Sequence, residues 1–301
     1  MKYKLLLLLV AFQLNSYAQT YVKFDENGLM NNSNAFGALL CPVSKDVATQ
    51  IFATMKNFKI ETKHINGYCE ARADFLAKKM SLLYKKPGCE VGKIWAFAPS
   101  ITTFISNTKL TTDNTLFPGE KISWDYHVAP IISIEYDTRT GKKVDTVVID
   151  LSLDNNNFIE YHQWLIKLNC KEAIYTFTDR NYYLFYTLNG LKLTGSKYQG
   201  IVMPENLPKI ITGHFYYPLL DDMLTVPSGL AYNELAVRLV EKYYNDPIFS
   251  ANKEAIKAST KLNEMKSIIA GKVTDLPREI IDDCILYYYE RLKYWQALFT
   301  S

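Results

Sequence analysis

The sequence has little charge of any one sign. Against 34 Lys and Arg stand 31 Asp and Glu, for a net charge of +3 over 301 residues. The two signs are interspersed, so no extended basic field can displace counterions from a polynucleotide, and nucleic acid is not an expected partner. Histidine is sparse as well: the 4 present, His64, His127, His162 and His214, stand far apart. No Cys-x-x-Cys pair occurs, so a structural zinc site is not indicated and no metal is expected. No apolar run reaches the roughly 20 residues that a membrane-spanning helix requires. Internal repeats, heptads and low-complexity tracts are also missing. What the chain does have is apolar material, 48% of residues with 14% aromatic, enough for a sizeable core in one large or two modest domains.

The first segment reads as an address. Lys2 and Lys4 form a basic start, Leu5 to Phe12 is a short apolar run, and Ser16-Tyr17-Ala18 offers small residues where a signal peptidase reads them. A signal peptide over 1–18 is expected, with the mature chain starting at Gln19, no membrane span in the mature form, and a periplasmic or extracellular destination. Export permits disulfides. The 5 cysteines, Cys41, Cys69, Cys89, Cys170 and Cys284, leave at least one thiol unpaired within a chain, and the spacing does not say which pair.

Beyond the leader, Thr20 to Phe24 predicts a short strand. Val47, Ile51, Phe52, Met55 and Phe58 recur at helical spacing, and Ala71 to Leu83 does the same after the Asn66-Gly67 turn. Val91 to Phe97 reads as a strand, and Pro99 to Ile122, rich in Thr and Asn, as a long loop. His127 to Tyr136 and Val144 to Leu151 read as an antiparallel hairpin turning through Asp137 to Gly141. Ala173 to Leu193 predicts one or two further strands. Leu230 to Tyr244, Ala251 to Ile269 and Leu276 to Phe299 predict helices.

Within this frame Cys69 is the first group placed for chemistry. It opens a predicted helix, where the partial positive charge and unpaired N–H groups are expected to lower its pKa and to receive an oxyanion. His127 and Asp150 lie near the open end of the predicted hairpin. A turn centred between Thr138 and Arg139 sets them directly opposite; a slip of two, with Asp137 opposite Lys142, sets them diagonally on one face and still within reach. An acid beside an imidazole fixes its tautomer while the other ring nitrogen takes the thiol proton. Taken singly, the plainer readings are a buried Cys, a structural strand His and a strand-end Asp. His64 reads as a solvated loop residue, Glu70 and Asp74 as acids complementing the helix dipole, and Arg72 as a candidate ion-pair anchor.

Three ordered blocks carry a resemblance. Gly67-Tyr68-Cys69-Glu70-Ala71-Arg72-Ala73, Trp124-Asp125-Tyr126-His127-Val128-Ala129 and Ile149-Asp150-Leu151-Ser152-Leu153 resemble the nucleophile, base and acid segments of the bacterial protein-glutamine glutaminases, which are protein deamidases; Gly88-Cys89-Glu90 is similar too. The likeness spans Asn66 to Asp154. It implies an α+β fold with a papain-like and transglutaminase-like core, a helix bearing the Cys packed on an antiparallel sheet bearing His and Asp. It also implies a catalytic set of Cys69, His127 and Asp150, with Trp124 and Tyr68 as candidate substrate or oxyanion contacts. Leu151 and Pro130 depart from the family pattern, the Cys-to-His interval is longer, and the C-terminal helices have no counterpart.

The domain reading is therefore a protein-glutaminase-like catalytic domain over 19–215 and a helical region over 216–301. The activity implied is deamidation of side-chain amides, foremost protein-bound glutamine, through a thioester and without a cofactor. The partner implied is a protein or peptide with accessible glutamine. A protease or transglutaminase using the same three residues, and a degenerate interaction module, are the rival readings.

Overall fold

The computed structural model describes residues 22–23, 40–63, 67–84, 89–102, 107–180, 182–185, 215–218, 225–272 and 275–301. The expected leader, His64 and His214 lie outside the described residues.

In chain order the elements are β1 (Val22–Lys23), β2 (Val43–Ser44), α1 (Lys45–Asn57), α2 (Cys69–Leu83), β3 (Gly92–Phe97), the short α3 (Pro99–Thr102), β4 (Leu110–Asp113), β5 (Lys121–Trp124), β6 (Tyr126–Thr138) and β7 (Gly141–Val148). There follow β8 (Ile159–Glu160), α4 (Tyr161–Lys167), β9 (Ile174–Asp179), β10 (Tyr182–Phe185), β11 (Phe215–Pro218), α5 (Thr225–Leu239), α6 (Lys253–Ser259), α7 (Leu262–Ile269) and α8 (Arg278–Thr300). The main sheet has 7 strands in the order β1-β9-β3-β6-β7-β8, with β2 added beside β6. Its central pairs β9/β3, β3/β6 and β6/β7 are antiparallel, and among the described residues only the short β1 and β2 pair in parallel. The α+β class expected from the sequence is the one observed.

Alternation along β6 explains why this strand is central. Val128, Ile132 and Ile134 enter the core under α1, α2 and the C-terminal helices, whereas Ala129 and Ile131 enter a second core with Trp164 and Leu165 of α4. With a strand period of two, an apolar residue at nearly every position buries both faces. Helix α2 is held on its face by Phe75, Leu76 and Met80, each worth about 2 kcal/mol when fully buried. It is also held by an ion pair between Asp74 and Lys93 of β3, at 2.6 Å with both side chains 0% exposed. Removing one partner of such a pair strands a buried charge, at a cost of about 3–5 kcal/mol. A disulfide joins Cys41 to Cys89, tying the approach to α1 to the approach to β3, and leaves Cys69, Cys170 and Cys284 as free, buried thiols.

Two expectations need correction. The stretch from Pro99 to Ile122 is not one long loop, because β4 and β5 form a hairpin with Leu110 opposite Trp124 and Thr112 opposite Ile122. Its strands are 4 residues each, too short for the Thr-rich run to show a clear period of two. The single helix expected over Ala251 to Ile269 is two, α6 and α7. They are separated where Thr260 bonds back to the Lys257 carbonyl and Lys261 turns to an extended backbone.

Helix α5 packs across the start of α2. Gly229 is the contact point: a Cβ there would meet Ala71 Cβ at 2.6 Å and the Tyr68 ring at 2.7 Å. Only glycine permits that approach. The Tyr68 ring then stacks on Tyr232 at 5.6 Å and 3°, and Tyr232 leans on Tyr288 of α8. The C-terminal helices are thus in direct contact with the turn that presents Cys69.

Candidate active site

Helix α2 begins abruptly. Gly67 (φ 130°) and Tyr68 (φ 51°) both lie in the left-handed region, a conformation that a bulky residue adopts only when its surroundings enforce it. Here the Tyr68 ring is clamped by α5. The sharp entry places Cys69 as the first helical residue, and among the described residues no side chain caps the N-terminus, so the first-turn N–H groups are left uncapped by them. Arg72 reaches back to the Gly67 carbonyl at 3.4 Å, bracing the turn from inside.

The thiol is only 5% exposed. Burial pushes its pKa well up, and the neighbouring Glu70 carboxylate pushes the same way; Arg72 and the backbone N–H of Val128 oppose both and lose. The lowered pKa expected from the helix terminus is therefore not found. Desolvation of a charge in an apolar pocket outweighs a partial dipole charge of about half a unit. The Cys69 thiol donates to Glu70 Oε2 at 3.4 Å.

Val128 is the residue after His127, so the contact to its N–H seats the sulfur against β6. The hairpin has the slipped register, Asp137 opposite Lys142 and Ile131 opposite Val148. Pairing continues one step further through the Ile149 N–H to the Pro130 carbonyl. Asp150 then leaves the ladder and curls back, and its Oδ2 lies 2.8 Å from His127 Nε2. An ionised carboxylate can only accept, so Nε2 carries the proton and Nδ1 is the basic nitrogen. Among the described residues Nδ1, although buried, has no hydrogen-bond partner.

Asp150 is surrounded by donors. Trp164 Nε1 reaches Oδ2 at 2.8 Å, and Ser152 gives both its N–H, at 3.1 Å, and its hydroxyl to Oδ1. Burial alone would raise this carboxyl, but the charge and hydrogen bond of His127, with the bonds from Ser152 and Trp164, outweigh it and hold Asp150 well below the usual carboxylate range. The imidazole itself lies between two indoles, Trp124 at 4.7 Å and 11° and Trp164 at 5.6 Å and 18°. Two flat walls leave the ring little freedom except in its own plane.

The structure thus brings His127, Asp150 and Trp124 together directly, sets Cys69 against the Val128 N–H of β6, and packs Tyr68 on α5. Trp164, Ser152 and Glu70 complete the surroundings. The serine stands inside the third block, but its role as an Asp anchor had no local signal. Trp164 lies 14 residues beyond Asp150 on a helix that only tertiary packing returns to it. Glu70 carried a signal of position alone.

Residues 47–168 match the model of the glutaminase family Gln_deamidase_2, a span that contains Cys69, His127, Asp150 and Trp164. No curated protein matches the chain. Among solved structures, the chain is similar to a crystal structure of protein-glutaminase, at 20% identity over 50% of this chain and 78% of that one, with a TM-score of 0.36. It is also similar to the NMR structure of protein-glutaminase from Chryseobacterium proteolyticum, at 17% identity over 65% and 88%, with a TM-score of 0.40. A crystal structure of pro-protein-glutaminase gives 17% identity over 66% and 60%, with a TM-score of 0.42. What the family match covers is the segment 47–168, which resembles a glutaminase and carries Cys69, His127 and Asp150.

Proposed function

We propose that the chain is a cysteine amidohydrolase that converts protein-bound glutamine to glutamate and ammonia, with Cys69 as nucleophile, His127 as general base and acid, and Asp150 as the group that orients His127. The observation that carries this reading is the His127 Nε2 to Asp150 bond of 2.8 Å, which leaves Nδ1 unpartnered among the described residues on the strand the thiol touches.

The steps balance without a cofactor. His127 Nδ1 takes the thiol proton as Sγ attacks the carboxamide carbon; the charge forming on the carbonyl oxygen is received by first-turn N–H groups of α2. Nδ1 returns the proton to the amide nitrogen, the C–N bond breaks, and ammonia leaves a thioester. Water then gives one proton to His127 and its oxygen to the carbonyl, and the C–S bond breaks to restore the thiol. Trp124 and Trp164 keep the imidazole aligned through both halves. Tyr68, fixed in its strained turn, holds the sulfur in register with the helix end.

The test is direct. An unfolded glutamine-containing protein incubated with the enzyme is expected to release ammonia in step with Gln-to-Glu conversion read by peptide mass. New N-termini would reassign the chemistry to proteolysis, and incorporation of a labelled primary amine would reassign it to transamidation.

Export with cleavage after Ala18 belongs to the same proposal. The Cys41–Cys89 disulfide supports an oxidising compartment, and among the described residues no helix is long and apolar enough to cross a membrane. Intact mass of the processed protein is expected to give a chain starting at Gln19; a processed chain that still began at Met1 would remove this part.

A further inference from the structure

The thiol of Cys69 has a hydrogen-bond partner, and it is not His127. Its proton points at Glu70 Oε2, 3.4 Å away, and the same oxygen accepts from the Tyr126 hydroxyl at 3.4 Å. Tyr126 immediately precedes His127 on β6, so a carboxylate on α2 and a phenol on β6 meet over the nucleophile. Unlike the buried thiol, Glu70 is partly exposed. Oriented by its neighbours and reachable from outside, it is an acceptor-only group within one contact distance of the reacting sulfur.

The chemistry of a carboxamide makes this position selective. Around the carbon that sulfur attacks stand a carbonyl oxygen, which only accepts, and an NH2 group, which donates. The two differ little in size, and apolar contact does not tell them apart. A carboxylate beside the sulfur welcomes the NH2 and repels the oxygen, which forces the carbonyl to the other side, toward the backbone donors at the start of α2. The same carboxylate repels the carboxylate of the product.

Resting on the deamidase reading above, we infer that Glu70 is the specificity-determining acceptor for the substrate amide NH2, and that binding of this NH2 displaces the Cys69 thiol from Glu70 and turns it to His127 Nδ1. In the resting protein Glu70 occupies the thiol proton; in the complex it occupies an amide proton instead. The nucleophile is thus released by the group it must attack. The sulfur's present position explains why Nδ1 stands without a partner although buried among the described residues.

The test compares Glu70→Gln with wild type on three reactions: a glutamine peptide, the same peptide carrying a glutamate γ-methyl ester, and modification of Cys69 by methyl methanethiosulfonate. The ester has a carbonyl but no NH2, and the reagent has neither. Loss of a hydrogen bond to a charged group is expected to lower kcat/KM on the amide about 10- to 100-fold. The ester is expected to change less than about 3-fold, and thiol modification to speed up because the charge opposing the thiolate is gone. Tyr126→Phe, which frees the carboxylate without removing it, is expected to shift the amide-to-ester ratio in the same direction by a smaller factor. Equal losses on amide and ester, or slower thiol modification, would overturn the inference while leaving the deamidase reading in place. A wild type that turns over neither substrate would remove that reading and this inference with it. Should Glu70→Gln lose its folded spectrum, the Tyr126→Phe ratio decides alone.

Discussion

Cys69→Ala is expected to bring ammonia release down to the rate without enzyme, a loss of about 10⁶-fold in kcat of the size seen when a hydrolase nucleophile is removed. No other thiol can substitute. Cys170 and Cys284 are buried in the second core and in α8, and burial pushes both pKa values up, that of Cys284 to about 12. The variant should stay folded, since replacing a buried thiol with a methyl group removes one heavy atom from a core otherwise unchanged, at a cost of about 1 kcal/mol. Retained melting temperature with lost ammonia release is therefore the expected pair of results; retained ammonia release would end the assignment of Cys69. A second measurement follows from the raised thiol pKa. Because burial and then Glu70 favour the neutral thiol, modification of Cys69 in the free enzyme should accelerate with pH above the usual thiol range, not plateau near neutrality as for a preformed thiolate.

The contrast between that thiol and the one suggested by the sequence shows what a linear reading can and cannot reach. The position of Cys69 at the first residue of α2 was legible, because the Asn-Gly turn and the apolar spacing from Ala71 to Leu83 both point to it. Its ionisation was not, because it depends on how deeply the helix start is buried by α5 and β6. The hairpin was legible in register to within two residues, since both even alternatives keep His127 and Asp150 on one face. Choosing between them required the tight two-residue turn that pairs Thr138 with Gly141. The wall formed by Trp164 was out of reach, because it depends on α4 folding back under β7 after a loop. So was the grip of α5 on Tyr68, which depends on one glycine and on helices with no motif of their own. What reads from sequence here is local geometry with strong periodicity. What does not is any property set by a neighbour distant along the chain.

Asp150→Asn is expected to be almost as damaging as loss of the nucleophile, about 10⁴-fold in kcat, and the donor count shows why an isosteric change is not conservative. Four hydrogens converge on the carboxylate, those of His127 Nε2 and Trp164 Nε1 on Oδ2 and those of the Ser152 N–H and hydroxyl on Oδ1. Asparagine offers one oxygen and one NH2. Turned with its NH2 toward Ser152, it faces a backbone N–H that cannot be reoriented. Turned toward His127, it faces the indole N–H and forces the imidazole proton onto Nδ1, where it blocks acceptance of the thiol proton. Either way one buried donor meets another, which should cost about 1–3 kcal/mol of stability as well. The pH signature separates this loss from general unfolding. The native carboxyl of Asp150 is held below its unfolded value, so its contribution to stability is present above the ordinary carboxylate pKa and fades only as the pH falls toward the native value. Wild type and Asp150→Asn should therefore differ in melting temperature at neutral pH and converge in strong acid. Trp164→Phe keeps a flat wall beside the imidazole and removes one donor, so it should lose only about tenfold in kcat. An Asp150→Asn enzyme within tenfold of wild type would mean that His127 is held by its two indoles alone, and that the carboxylate serves the fold and not the reaction.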